Sequence, residues 1–160
     1  MISIPWRHSV RALLLTPDGA VLLGKHRTAD GAVWAAPGGG IELGESGLDA
    51  LQRELREEVG LVLSGEEPVH VWHQEITDLT IAPGFQGVTN DYYLVHVDRF
   101  EHRGESTSQA PQDEGLENFA WWSAEAIQTH SDELFSPRDL ATLLPTITRD
   151  PPQGPVPLTV

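Results

Sequence analysis

The chain has 160 residues, of which 39% are hydrophobic and 21% are charged, so it is long enough to bury the core of one globular domain. Its 24 acidic residues against 10 Lys and Arg leave a net charge of −14, which opposes non-specific binding to nucleic acid. The same charge opposes any phosphate substrate unless cations intervene. Because the chain has no cysteine, disulfides, thiol nucleophiles and thiolate metal sites are excluded.

The first 16 residues lack the continuous apolar segment of a signal peptide or a membrane span, since Arg7, His8 and Arg11 interrupt them. We therefore expect a soluble, cytoplasmic protein with no membrane partner.

The first half of the chain favours strands before one long helix. Residues 9–16 and 20–27 flank the turn Pro17-Asp18-Gly19, which predicts a β-hairpin. Residues 33–36 predict a short strand that leads into three consecutive glycines at 38–40, where a tight turn leaves the backbone accessible.

The second half predicts three more strands, at 69–77, 88–97 and 117–123, and two short helices, at 124–130 and 137–144. Strands and helices in this order indicate an α/β (α+β) fold with a mixed sheet between helices, rather than a doubly wound parallel sheet. His70 and His73 stand three apart on a strand, so we expect them to point to opposite faces of the sheet.

The long helix is predicted between two cap signals, Ser46 as N-cap and Gly60 as the residue that ends it. Its expected apolar stripe repeats at helical spacing and consists of Leu48, Leu51, Leu55 and Val59. Three glutamates, Glu54, Glu57 and Glu58, share the neighbouring side, so they keep a fixed angle to the core.

Three carboxylates on one face repel each other, and two interpretations account for them. In the first, they form a solvated surface, and the helical pairs of Arg53 with Asp49 and Glu57 soften the repulsion. In the second, they bind a hard divalent cation such as Mg²⁺, which prefers carboxylate and carbonyl oxygens. The glycine turn beside the helix favours the second interpretation.

The segment from Gly39 to Leu61 resembles the Nudix box of the Nudix hydrolases at every position of that motif. The matching residues are Gly39, Glu45, Arg53, Glu54, Leu55, Glu57, Glu58, Gly60 and Leu61. The resemblance implies an α/β/α sandwich and a Mg²⁺-dependent hydrolase of diphosphates, with Mn²⁺ as a substitute ion. It covers 23 residues and implies no particular substrate.

The resemblance also implies roles for the residues of the box. Glu57, Glu58 and the Gly39 carbonyl would be metal ligands, and Glu54 would be a further ligand or the general base. Arg53 would orient the glutamates, with Glu45 as its partner.

Family members differ in the position of the base, so Glu114 and Glu117 on a later loop stay alternatives to Glu54. Lys25 and Arg27 are candidates for phosphate binding, and Trp34, Phe85, Tyr92 and Tyr93 are candidates for stacking a base. Their competing interpretations are a solvated strand end and a core aromatic residue.

We expect a small-molecule nucleotide substrate: a nucleoside diphosphate linked to another moiety, or a nucleoside triphosphate. The alternative function is a non-catalytic nucleotide sensor on the same fold. A structural domain with an acidic helix is a third interpretation, and it predicts no dependence on metal. Nucleic acid is not an expected partner, and a homodimer is one possibility for the assembly. The expected organisation is a Nudix domain at residues 1–148 and a proline-rich tail at residues 149–160.

Overall fold

The computed structural model describes residues 4–29, 31–65, 67–77, 84–103 and 116–158. Within them, nine strands and three helices follow one another along the chain. In order they are β1 (Trp6–Leu15), β2 (Ala20–Thr28), β3 (Gly31–Ala35), β4 (Gly38–Gly40), α1 (Gly47–Val59), β5 (Val69–Ile76), β6 (Gly87–His96), β7 (Leu116–Ser123), α2 (Ala124–Thr129), β8 (Leu134–Ser136), α3 (Leu140–Arg149) and β9 (Val156–Leu158).

The strands form one mixed sheet in the order β8-β3-β2-β1-β6-β5-β9, with β4 paired to β1 and β7 paired to β2. The two longest strands, β1 and β6, run parallel and pair along their whole length, from Trp6 opposite Gly87 to Leu15 opposite His96. The predicted hairpin is present only near its turn, because the Cα register of β1 with β2 is limited to Leu15 opposite Val21. The rest of this edge of β1 pairs with the glycines of β4, so the predicted tight turn at 38–40 is wrong and a short strand stands there. We call β4 and the residues that follow it up to Gly44 the glycine loop.

Alternation along β1 divides the core between the two faces of the sheet. Leu13 and Leu15 pack with residues of α2 and α3 on one face. Val10, Ala12 and Leu14 pack against α1 on the other. The helices therefore cover both faces, and the predicted mixed sheet between helices is confirmed.

Helix α1 begins and ends where its cap signals predict. Ser46 Oγ accepts from the Asp49 amide at 3.1 Å, and the Asp49 carboxylate accepts from the Ser46 amide at 3.3 Å, which is a capping box. Gly60 ends the helix in the left-handed region at φ 74°. The predicted apolar stripe is wrong at Leu48, which is 43% exposed. The buried side of α1 includes Glu54 instead.

Two further predictions differ from the structure after α2. Helix α3 begins at Leu140 and continues through Pro145 to Arg149, whereas the sequence predicts a helix at 137–144 that stops before this proline. The sequence does not predict strand β8, which pairs with β3 in parallel.

Residues 156–158 of the predicted tail form β9 beside β5. No helix in the described part of the chain is long and apolar enough to cross a membrane.

Candidate active site

Arg53, in the middle of α1, connects the helix to the glycine loop. Its Nε and Nη2 donate to the two carboxylate oxygens of Glu45, at 2.7 and 2.9 Å. Its Nη2 also donates to the Gly40 carbonyl at 3.0 Å, and its Nη1 donates to Glu54 Oε1 at 2.9 Å. Because a guanidinium is planar, this set of bonds fixes the loop, the helix and one carboxylate relative to one another.

The charge of Arg53 also sets the protonation of Glu45. The bonds from Arg53 and from the Glu42 amide hold the pKa of Glu45 at about 2, below its usual value of 4.5. In turn, the carboxylates of Glu45 and Glu54 raise the pKa of Arg53. The predicted partnership of Arg53 with Glu45 is therefore present in the structure as a bidentate ion pair.

Glu54 lies against the backbone of Gly39. A Cβ built on Gly39 would stand 2.5 Å from Glu54 Oε1, so only glycine leaves room for this carboxylate. Glu54 is 8% exposed. Burial raises its pKa, while the positive charges of Arg53 and Arg11 oppose that shift.

Glu57 and Glu58 extend the acidic side of α1 beyond Glu54. Glu58 Oε1 accepts from the Gly38 amide at 2.8 Å, and Glu57 Oε2 lies 3.6 Å from Arg53 Nη1. Glu54 and Glu58 thus border the glycines at 38–40, and Glu57 lies beside Arg53. In the described residues, no three acidic or histidine side chains stand close enough to hold a metal as they are placed. The three glutamates and the glycine backbone nevertheless provide carboxylate and carbonyl oxygens, which are the ligands that a hard divalent cation prefers.

A cavity of about 860 Å³ opens beside this constellation. Glu54 and Arg53 line it, together with the loop from Gly40 to Gly44, the start of β1 and Phe85. A second cavity, of about 650 Å³, lies against α3 and β9, and the box residues are not among those that line it in the described chain.

A family model of the NUDIX domain matches residues 5–143. The chain belongs to the Nudix family. The resemblance read from the box is thereby confirmed, and Nudix hydrolases generally use divalent metal ions. The glycine loop and α1 described above are its Nudix box.

Curated relatives match part of this Nudix chain. An RNA pyrophosphohydrolase of Gluconacetobacter diazotrophicus is 37% identical over 75 residues, covering 41% of this chain and 45% of that protein. An RNA pyrophosphohydrolase of Sulfurovum sp. is 34% identical over 100 residues, covering 58% of this chain and 63% of that protein. The chain thus spans less than two thirds of the length of each of these curated relatives.

Solved structures share the Nudix fold over most of the chain. The MutT protein from Methanosarcina mazei Go1 has a TM-score of 0.68 at 19% identity, covering 94% of this chain and 100% of that one. At this identity the likeness shows the fold alone.

The predicted substrate-binding residues of this Nudix domain stand apart from the box and have acidic partners. Lys25 Nζ lies 2.7 Å from Glu133, and Arg27 Nε donates to Glu117 at 3.0 Å. Trp34 is buried and donates its indole N–H to Glu133 at 2.9 Å. Their role in substrate binding stays a prediction, as do the roles of the box residues.

The two alternative bases differ in what the structure says of them. Glu117 lies at the start of β7 with its side chain 39% exposed and its carboxylate on Arg27. Glu114 lies outside the described residues.

Two features were missed at the sequence level. Trp6 and Arg7 line the cavity beside the box, and the only signal for them was that Arg7 interrupts an apolar segment. Phe85 also lines the cavity, and the sequence does offer it as a residue that stacks a base. The expectation that His70 and His73 face opposite sides is wrong, since both bond Asp91 Oδ1, at 2.8 and 2.6 Å. A bulge at Val71 between them reverses the alternation.

Proposed function

We propose that this Nudix protein is a pyrophosphohydrolase that depends on Mg²⁺, with Mn²⁺ as a substitute. Its substrate is a nucleoside diphosphate linked to another moiety, or a nucleoside triphosphate. The observation that carries the proposal is the junction at Arg53, which holds Glu54 over Gly39 while Glu58 bonds the Gly38 amide. The curated relatives named RNA pyrophosphohydrolases support hydrolysis of a diphosphate linkage.

Glu57, Glu58 and the Gly39 carbonyl would hold the metal ion. When bound, the ion neutralises charge on the diphosphate and makes a water molecule easier to deprotonate. The bond from the Gly38 amide orients the Glu58 carboxylate toward the glycine loop. One ion could therefore bind a carboxylate of the helix and the Gly39 carbonyl of the loop together.

The remaining residues of the box position the reacting groups. Arg53 holds Glu54, and Glu45 holds Arg53 through both of its oxygens, so Glu45 acts through Arg53 rather than on the substrate. Glu54 is the base we favour over Glu117, because Glu54 borders the cavity beside the loop whereas Glu117 pairs with Arg27. In this role Glu54 accepts the proton of the attacking water.

Two alternatives remain open to test. The first is a nucleotide sensor without turnover. A sensor does not need the complete set of box glutamates, so the presence of all three favours the hydrolase. The second is hydrolysis at the end of an RNA chain, which the names of the curated relatives favour and the net charge of −14 disfavours. The cytoplasmic location, the homodimer and the division into domain and tail stay predictions.

The decisive experiment measures phosphate release from nucleoside triphosphates, diphosphate conjugates and a short RNA with a 5′-triphosphate. A coupled phosphatase detects products that are phosphomonoesters. Each compound is tested with Mg²⁺, with Mn²⁺ and with a chelator. The variants are wild type, Glu58→Gln and the control Glu101→Gln, an exposed glutamate paired with Arg103.

We expect turnover of one compound class that requires metal and falls about a hundredfold or more in Glu58→Gln, as loss of a ligand to a catalytic ion predicts. Glu101→Gln should keep full turnover. No turnover of any compound by the wild type, with metal and nucleotide still bound, would instead identify a sensor.

A further inference from the structure

Cationic and aromatic side chains line the cavity beside the Nudix box. Trp6, Arg7, His8 and Phe85 line it together with Arg53 and Glu54. We propose that these side chains recognise the substrate: Arg7 binds a phosphate group, and Trp6 and Phe85 take the base of a nucleotide. The inference rests on the proposed hydrolase function and names its binding residues.

Arg7 is placed to meet an anion at the box. Its guanidinium lies over the glycine loop, since a Cβ built on Gly40 would stand 3.3 Å from both its Nε and its Nη2. Gly40 is also the residue whose carbonyl accepts from Arg53. A substrate phosphate beside the box glutamates is therefore within the reach of Arg7.

The guanidinium of Arg7 also has its donors available. Across residues 4–29, 31–65, 67–77, 84–103 and 116–158 it has no hydrogen-bond or ion-pair partner. Lys25 and Arg27, in contrast, pair with Glu133 and Glu117, and Arg53 is saturated by carboxylates and a carbonyl. Pairing leaves little net charge for an anion, so Arg7 is the cation in this cavity with charge to offer.

The surrounding charge makes such a cation necessary. Glu42 and Glu54 line the same cavity, in a chain with a net charge of −14. A diphosphate that approaches this surface is repelled unless positive charge compensates. The planar fork of an arginine can bind two phosphate oxygens at once, which also orients the group.

The aromatic side chains provide a surface for a ring. Trp6 lies directly over Gly87, where an added Cβ would stand 2.8 Å from Trp6 Cζ3, so the indole occupies the space that a side chain would take. Phe85 is half-buried, two residues before Gly87. His8, on the same wall, is held by a 2.8 Å hydrogen bond between its Nδ1 and Thr89 Oγ1. Flat aromatic side chains can stack on any nucleobase, because every base has a flat aromatic face.

The test separates binding of the phosphate from binding of the base. Isothermal titration with Mg²⁺ present measures the affinity of inorganic pyrophosphate and of ADP, GDP, CDP and UDP. Each variant is made in the wild-type chain and in Glu54→Gln, which removes the proposed base and keeps the proposed metal ligands, so binding is read without turnover. The variants are Arg7→Gln, Arg7→Lys, Trp6→Leu and Phe85→Leu, with Arg103→Gln as control because Arg103 is 78% exposed and pairs with Glu101.

We expect Arg7→Gln to weaken both pyrophosphate and the best nucleoside diphosphate by about tenfold, with Arg7→Lys between it and wild type. Trp6→Leu and Phe85→Leu should weaken the nucleoside diphosphate and leave pyrophosphate unchanged. Trp6→Phe, which keeps a ring over Gly87, should recover part of the loss. Thermal unfolding of each variant identifies any that fail to fold, and Trp6→Phe serves if Trp6→Leu does so.

Three results would overturn the inference: unchanged affinities in Arg7→Gln, equal losses for pyrophosphate and nucleotide in Trp6→Leu, or no binding of any of these probes to the wild type. The hydrolase proposal fails separately. If the wild type turns over a compound while Arg7→Gln keeps its KM, only the present inference is wrong. If binding depends on Arg7 and Trp6 but nothing is hydrolysed, only the hydrolase is wrong.

Discussion

Gly39 and Glu54 are in direct contact: a Cβ on Gly39 would stand 2.5 Å from Glu54 Oε1 and 2.7 Å from its Cδ. The obstacle is the end of a side chain rather than backbone, so Gly39→Ala should displace the carboxylate and keep the fold. We expect kcat to fall about a hundredfold, because a shift of about 1 Å in a reacting group can cost that much. Steady-state kinetics beside thermal unfolding measures both effects.

Two other glycines serve as controls for this change. Gly154→Ala meets no atom within 4 Å and should change neither activity nor stability. Gly38→Ala should lower the thermal midpoint, since its Cβ would stand 1.9 Å from the Val10 carbonyl oxygen. A Gly39→Ala variant with normal kcat would show that the position of Glu54 does not matter to turnover.

The ion pair of Glu45 with Arg53 predicts a specific loss of stability in acid. The pKa of Glu45 is about 2 in the folded chain against an ordinary 4.5, so its stabilising contribution is complete above pH 4.5 and is lost as pH falls toward 2. Glu45→Gln removes that contribution. We expect the wild type to melt above Glu45→Gln near pH 6 and the gap between the two midpoints to narrow steadily as pH falls from 4.5 toward 2.

The control for this prediction is Glu101→Gln, an exposed residue whose ion pair with Arg103 is at the surface. Its midpoint should follow the wild type across the same pH range. A constant gap between wild type and Glu45→Gln at every pH would show that shape, rather than charge, accounts for the role of Glu45.

Local sequence signals predicted the two ends of α1, whereas non-local packing determines which of its side chains are buried. Ser46 and Gly60 act on backbone groups within one turn, so sequence is enough to place them. Leu48 lies on the same side of α1 as the buried Leu55 and Val59, so its exposure follows from its place in the first turn, which periodicity does not register. Nor does hydrophobic periodicity assign a buried place to a glutamate such as Glu54.

The same distinction applies to the sheet and to the site. Strand β1 pairs mainly with β6, about eighty residues away, and a parallel partner at that distance leaves no turn signal. The bulge at Val71 adds one backbone residue and reverses every side chain beyond it, which alternation alone does not reveal. The positions of the box residues are fixed within one segment of the sequence, where the resemblance implies their proposed roles, whereas Arg7 and Trp6 come to lie beside them only through folding.

His73 should titrate above an ordinary histidine because two carboxylates accept from its ring. Asp91 is 2.6 Å from its Nδ1 and Glu75 is 3.0 Å from its Nε2, and these bonds raise its pKa above 6.5. The resulting stability is fully present below pH 6.5 and is lost as pH rises through the raised value. We expect Asp91→Asn to lower the pKa of His73, measured by NMR titration of its ring protons.

Glu75→Gln should lower the pKa of His73 less than Asp91→Asn does, since the bond to Asp91 has the larger effect. The unfolding free energy lost in Asp91→Asn should be greater near pH 6 than near pH 9. An unchanged His73 titration in Asp91→Asn would mean that this hydrogen bond is absent in solution.

Glu133 connects three elements, and its replacement tests what Lys25 does. Its carboxylate lies 2.7 Å from Lys25 Nζ and accepts from Trp34 and His130 at 2.9 Å, and these bonds hold its pKa at about 2. We expect Glu133→Gln and Lys25→Gln each to lower the thermal midpoint by about 2–4 °C, from a loss of about 1 kcal/mol. The double variant should lose less than the sum, because each change removes the same interaction.

If Lys25 only holds Glu133, KM stays within about twofold in Lys25→Gln. A raised KM with an unchanged midpoint would instead give Lys25 the phosphate-binding role that its position at the strand end predicts.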